Sequence, residues 1–425
     1  MSSPTSPIGP NDAQLNRSAV RFVVAVGITS AFSDMTHEGA RSITGPFMGA
    51  LGASGSIVST VSGAGELLGY ILRYGFGAMA DSSQQYWLIT FIGYILQMGA
   101  VPFLAISRSW QAAALLIVLE RVGRAIRTPA RDAMIAHAAT RLGGGWSFGL
   151  REALDASGAF IGPVLVTGIA LVTHDNTRGA FALLAIPAIL CIISLIFTWR
   201  FFPHPSSLDI GLSKSAKLKH YPPSFWVYLT AMSLIAIGYA DWPLLALHLA
   251  QKQVVRPSLV PSLYAVGMGA EAVASLVLGR LYDRFGLSVV IILTLFTATY
   301  GPLILLTDNL GLIILGSSFW GFGMAAQESV VKAVLTTFVP PGARASAFGL
   351  FDSCFGIAWF GGSMILGYLY DKSVAQAAWF TLALQLMAVP ILLLTIWRMK
   401  REAQIKSAAQ IDESSRLLGT EEVDE

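Results

Sequence analysis

The chain has 425 residues, of which 54% are hydrophobic and only 12% charged. Soluble domains carry about 25% charged residues, so water cannot be the solvent for most of this surface and a lipid-covered fold is the reading that remains. The net charge of +3 gives no basis for a nucleic-acid partner, and Cys191 and Cys354 both fall in apolar runs, where they read as packing residues and not as a disulfide or metal site.

A helix needs about 20 mostly apolar residues to cross the hydrocarbon core. Such stretches fall at 18–42, 54–79, 86–106, 110–134, 145–172 and 179–201, and again at 224–250, 258–281, 287–307, 311–336, 345–369 and 375–398. The expected fold is an all-α membrane protein with twelve transmembrane helices in two pseudo-symmetric six-helix halves. Residues 1–17 form a polar N-terminal tail, 18–201 the first bundle, 202–223 a linker with prolines at both ends, 224–398 the second bundle and 399–425 a polar C-terminal tail. Basic residues sort to one side: Arg17, Arg21, Arg127, Arg131, Arg141, Arg200, Lys214, Lys217, Lys219, Arg280, Arg284, Arg344, Arg398, Lys400 and Arg401. The excess of Lys and Arg on cytoplasmic loops then puts both termini in the cytoplasm.

The fifth stretch repeats in the eleventh. Phe348, Gly349, Leu350, Phe360 and Gly362 stand 200 positions after Phe148, Gly149, Leu150, Phe160 and Gly162. A membrane helix repeated at half the chain length points to two similar halves and to a transporter. Two further patterns carry a family resemblance. After the eighth stretch, Gly279, Arg280, Asp283, Arg284 and Gly286 fit G-x-x-x-D-R-x-G. Its counterpart after the second stretch keeps Gly77 and Asp81 but has Ser82 and Ser83 where the basic residue should follow. In the fifth stretch Gly149, Gly158, Gly162 and Pro163 fit a glycine, eight residues, a glycine, three residues and Gly-Pro, although Val166 and Thr167 replace the closing glycine pair.

The chain thereby resembles the major facilitator superfamily, and residues 121–136, 148–163 and 347–371 also resemble a prokaryotic permease subgroup within it. The resemblance implies twelve helices, a gating loop in which the Asp and Arg lock neighbouring helices, and, from the antiporter-like motif, export of a solute in exchange for protons. In that superfamily helices 1, 4, 7 and 10 line the central pathway.

Charges inside these helices are the candidate site. Each costs about 2.5–3.5 kcal/mol at a helix centre on the insertion scale unless paired or facing a wet cavity. They are Asp34, His37, Glu38 and Arg41; Glu66; Glu120, Arg121 and Arg124; Asp155; Asp241 and His248; Glu271; and Glu328 and Lys332. Asp34 and Glu38, one turn apart, make a like-charge pair suited to holding a proton. Glu328 and Lys332 are spaced to neutralise each other. Arg127, Arg131 and Glu152 with Arg151 read as residues of the cytoplasmic ends, and Trp242, Trp320 and Trp359 either line a site or pack. Three readings stay open: proton-coupled export of a small organic solute, uptake of an anionic metabolite on Arg121 and Arg124, and a non-transporting receptor. No P-loop, metal cluster or nucleophile elbow is present, so neither an enzyme nor a cofactor is expected. The expected partners are a small-molecule substrate, protons and lipid, the expected state is a monomer, and the expected location is a bacterial inner membrane.

Overall fold

The computed structural model describes residues 10–142, 144–204, 221–339 and 344–421. Most of the linker and the side chains of Arg141, Lys332 and Arg344 lie outside the described residues. The described residues contain helices and no strand. The first half comprises α1 Pro10–Ala50, α2 Gly55–Ser83, α3 Tyr86–Ile106, α4 Trp110–Leu142, α5 Gly144–Val172 and α6 Thr177–Phe201, which is interrupted at Leu184. The second half comprises α7 Pro223–Lys252, α8 Pro257–Phe285, α9 Ser288–Leu305, α10 Leu310–Phe338, α11 Arg344–Lys372 and α12 Val374–Glu421. Ten of these are long and apolar enough to cross a membrane. The other two, α2 and α4, have the length at 29 and 33 residues. Glycine and serine dilute α2, and four arginines dilute α4 between residues 121 and 131. Helix α12 continues past the polar boundary at Met399 as far as Glu421.

Large apolar side chains are exposed at helical spacing on α3 (Leu88, Ile92, Ile95), α6 (Ile186, Ile189, Ile193), α9 (Ile292, Leu295, Phe296) and α12 (Leu386, Leu393, Trp397). An apolar outside over a partly charged inside fits a lipid solvent. The protein is an integral, multi-pass membrane protein.

The two halves are built differently inside. The second half holds one continuous apolar core rich in aromatic residues, including Tyr228, Tyr239, Trp242, Tyr264, Tyr300 and Trp320. In the first half the buried apolar residues fall into four smaller clusters, and buried Arg41, Glu120, Arg121, Arg127 and Arg131 lie among them.

Helix α7 is broken. Its first piece ends at Ile237, Gly238 to Ala240 lose helical form, and a second piece, Trp242–Lys252, starts with Asp241 as its N-cap and Pro243 in its first turn. The open backbone groups of the break are satisfied by aromatic side chains. Ala240 N donates to Tyr300 Oη at 2.5 Å, and Trp320 Nε1 donates to Ala240 O at 2.9 Å. Tyr239 Oη donates to Trp320 O. Trp242 and Trp320 are fully buried and face each other edge to face, so their role is packing around this break.

Close approach of α5 to α1 fixes the first half. A Cβ on Gly158 would sit 2.2 Å from Ala31 O, and one on Gly162 would sit 2.3 Å from Met35 O. Small residues let membrane helices meet at backbone distance. Gly168, on the same helix, has nothing within 4 Å. Gly162→Val is therefore expected to lower the stability of the detergent-solubilised protein by about 1–3 kcal/mol, the usual cost of overpacking. Gly168→Val is expected to leave the melting temperature unchanged; equal effects in a thermal unfolding assay would contradict this packing.

Candidate functional site

A cavity of about 840 Å³ lies between the halves, walled by α1, α2, α4, α5, α8, α10 and α11. Its lining runs to Arg73, Asp132, Gly149, Leu276 and Val331. It therefore leads toward the end that carries the α2–α3, α4–α5, α8–α9 and α10–α11 connections. The opposite end is closed by contacts between the halves. Gly45 packs so tightly that a Cβ there would lie within 3 Å of the Pro243 backbone. Asp371, at the end of α11, caps the start of α2 by accepting from Gly55 N at 2.8 Å, Ser56 N at 2.9 Å and Ser56 Oγ at 2.5 Å. Ser59 Oγ donates to Ser363 O at 2.7 Å.

The floor of the cavity is ionic. Arg41 Nη2 donates to Asp241 Oδ1 at 2.5 Å, across the two halves. Asp241 also accepts from Ser62 Oγ at 2.5 Å and from Trp242 N at 2.9 Å. Both residues are more than nine-tenths buried. Tyr264 Oη donates to Glu38 Oε2 at 2.5 Å, a second polar link between the halves. From Arg41 the charges alternate in sign into the first half. Glu66 lies 3.7 Å from Arg41 and 3.0 Å from Arg121. Arg121 lies 3.6 Å from Glu120, whose other oxygen accepts from Gln97 Nε2 at 2.7 Å and lies 2.8 Å from His37 Nδ1. Gln97 Oε1 accepts from Arg127 Nε at 2.5 Å, and Arg127 lies 3.7 Å from Asp34. A buried charge survives in low dielectric only with partners of this kind, and here Glu66, Arg121, Glu120, Gln97 and Arg127 each serve at least two neighbours.

The candidates thus separate by place. Asp34, Glu38, Arg41, Glu66, Arg124, Asp155, Glu271 and Glu328 line the cavity. His37, Glu120 and Arg121 stand behind it, around a second pocket of about 30 Å³. His248 is remote from both, 3.2 Å from Tyr370 Oη at the closed end. Lys332, the intended partner of Glu328, has its side chain outside the described residues. Asp34 and Glu38 turn to different partners, Arg127 and Tyr264, so they do not act as an isolated like-charge pair. Asp155 pairs with Arg151 at 2.5 Å.

The loop motif sits at the open end. Asp81, Arg280, Asp283 and Arg284 are exposed, and among the described residues none of them makes an ion pair. Gly286 turns the chain after α8 with φ +60°, and Gly77 and Gly279 lie close to these loops. Of the antiporter-like motif, Gly158 and Gly162 pack on α1, Gly149 lines the cavity and Pro163 lies within α5.

Two expectations need correction. Arg127 and Arg131 are not exposed anchoring residues: they are 1% and 5% exposed and reach back into the bundle. Arg127 donates to Ser33 Oγ at 3.1 Å and Tyr94 Oη at 3.2 Å, and Arg131 to Ser30 Oγ at 3.0 Å. Their spacing from Arg124, at i+3 and i+7 on one face of α4, is the signal that points inward. Helix α7 also does not wall the main cavity, because its second piece packs against α1 and closes the far end. Residues without a strong sequence signal complete the site: Ser62, Tyr70, Arg73, Tyr94, Gln97 and Tyr264.

The Major Facilitator Superfamily family model matches residues 227–420. An uncharacterized protein of Mycobacterium tuberculosis is 35% identical over 377 residues, covering 88% of this chain and 92% of its own length. An uncharacterized MFS-type transporter of Methanocaldococcus jannaschii is 26% identical over 373 residues, covering 85% of this chain and 91% of its own. The chain belongs to the major facilitator superfamily. Solved members share its shape at low identity, which speaks for the fold alone. A variant of the nucleoside transporter NupG superimposes with a TM-score of 0.72 at 12% identity, covering 89% of this chain and 99% of that one. A bacterial homolog of the human lysosomal transporter Spinster, inward-facing and occupied, gives 0.70 at 15% identity, covering 94% and 98%. The superfamily fold supports a secondary transporter.

The Arg41–Asp241 pair has a measurable signature. Arg41→Met strands the buried Asp241 carboxylate, which has no other ion pair among the described residues, and is expected to cost about 3–5 kcal/mol, while the double variant Arg41→Met, Asp241→Leu recovers a substantial part of that loss. Melting temperatures of the purified single and double variants check this; strictly additive losses would mean that the pair does not couple the halves.

Proposed function

We propose that this member of the superfamily works by alternating access and exports a small organic solute in exchange for protons. The observation that carries the reading is the Arg41–Asp241 contact, buried between the halves at the closed end of a cavity that leads to the other end. Rocking the halves so that the closed end opens must part these two groups. Arg41 would keep Glu38 and Glu66 within 3.7 Å, both in its own half. Asp241 would keep no cation. A proton taken up by Asp241 removes that cost, which ties opening to protonation. Asp34, Glu38 and Glu271, each on the cavity wall, are the stations from which a proton reaches or leaves it. The motif glycines of α5 agree with exchange, since they hold α5 against α1, the helix that bears Arg41.

In this reading the cavity leads to the cytoplasm, both termini lie there, and the membrane is a bacterial inner membrane in which the protein acts as a monomer. The basic end of the bundle supports that orientation. Uptake of an anionic metabolite is the second reading. One observation favours it: Arg124 lines the cavity, whereas Arg121 is held by Glu66 and Glu120.

Proteoliposomes loaded with a pH indicator test the reading across a panel of organic solutes. Solute-dependent proton movement is expected in the wild type, falling at least about 10-fold in Asp241→Asn. Solute movement without proton movement, unchanged in the variant, would reject coupling and leave a facilitator. Accumulation of organic acids driven inward would favour the second reading.

A further inference from the structure

Among the described residues, the ionisable cavity groups that stand without an ion pair are sorted by half. On the first-half wall, the guanidinium of Arg124 has no hydrogen bond and no ion pair among the described residues, nor does that of Arg73, which lies 5.5 Å over the Tyr70 ring. Every other cavity arginine is engaged: Arg41 with Asp241, Arg127 with Gln97, Arg131 with Asp132 and Arg151 with Asp155. On the second-half wall, Glu271 of α8 and Glu328 of α10 line the same space, and neither carboxylate has a hydrogen bond or ion pair among the described residues. Glu328 sits in a π-helical turn, Ala326–Val330, of the kind often found at functional sites.

The second-half wall also carries aromatic faces. Phe355 and Trp359 of α11 line the cavity, 5.8 Å apart between ring centroids. Trp359 is 2% exposed, and its Nε1–H is buried without an acceptor. A buried indole N–H usually has a partner, so its place on the cavity wall is consistent with an acceptor delivered by a ligand. The volume of about 840 Å³ falls in the range of small-molecule pockets, roughly 300–1,000 Å³.

We propose that the cavity binds a dipolar solute, with its anionic group on Arg73 and Arg124, its cationic group on Glu271 and Glu328, and an apolar or aromatic body against Phe355 and Trp359. The assignment rests on the reading of this chain as a carrier and names the class of its solute. A purely anionic solute would meet the second-half carboxylates with no cation to offer them. A purely cationic one would leave two guanidinium groups facing it. A dipolar solute satisfies both walls together, and because those walls belong to different halves, its binding draws the halves toward each other at the open end.

Equilibrium binding to the purified full-length protein tests this without any transport. The probes are phenylalanine and alanyl-phenylalanine, each in its free, N-acetylated and C-amidated form, so that one charge is removed at a time. The free forms are expected to bind about 10-fold or more tightly than either blocked form. Arg124→Gln is expected to abolish the preference over the amide, and Arg124→Lys to keep part of it. Glu271→Gln is expected to abolish the preference over the acetylated form. Melting temperatures of the unliganded variants confirm that they are folded. Blocked forms binding as well as the free ones, or no binding of either free probe up to about 10 mM, would overturn the proposal. Dipolar binding with no flux in vesicles would uphold this assignment while defeating the transport reading; proton-coupled flux of singly charged solutes alone would do the reverse.

Discussion

The contact between Arg41 and Asp241 is the constraint that organises the rest. It joins the halves through two side chains that are each more than nine-tenths buried, and without Arg41 the Asp241 carboxylate has no ion pair among the described residues. Asp241 is held in three ways at once, by Arg41, by Ser62 and by the first backbone N–H of the second α7 piece. That last bond explains the break in α7. A continuous helix at 238–241 would bury Asp241 without its cap and would leave Tyr300 and Trp320 with no backbone partners. Helix break, aromatic support and inter-half ion pair are therefore one construction.

The contrast between the halves follows from the same pair. The first half spreads charge along a chain from Arg41 to Asp34, with Glu66, Arg121, Glu120, Gln97 and Arg127 in between. Between its ends such a chain tolerates the loss of one neighbour, because each inner member has another. The second half contributes a carboxylate to the junction and surrounds it with aromatic rings. Tolerance on one side and dependence on the other would make Asp241 the group whose ionisation matters most if the halves part as proposed.

The sequence made the fold legible for physical reasons that can be named. Apolar stretches of membrane length, a repeat at half the chain and the glycine spacing of α5 each report a property of one helix or one half. The charged candidates were legible too, because a charge in an apolar stretch is conspicuous wherever it points. Their partners were not. Arg41 and Asp241 stand 200 residues apart, and nothing local in either stretch marks the other. Arg127 and Arg131 looked like cytoplasmic anchors because their helix ends near them, yet α4 runs on to Leu142 and buries both. Gln97, Tyr94, Ser62 and Tyr264 are ordinary residues in composition, and only the third dimension shows what they hold. The π-helical turn at Glu328 likewise leaves no trace in the hydrophobic pattern.

The closed end is held by two kinds of contact with different physics. Asp371 caps α2 at an exposed position, so water can replace the hydrogen bonds of Gly55 and Ser56 as they break, and the net cost is small. Asp241 has no second cation to replace Arg41, whereas Arg41 keeps Glu38 and Glu66 at 3.7 Å. In the proposed cycle the outer latch would be the contact that yields readily, and the buried pair the one that sets the barrier. A barrier placed on a buried charge responds to whatever neutralises that charge, and the carboxylates and guanidinium groups of the cavity stand on the side from which, in the proposed cycle, a proton or a dipolar solute would arrive. Energy coupling of the proposed kind would need no moving part beyond the two halves. It would need only that the contact holding the closed end together be made of charges and that the open end deliver their replacements.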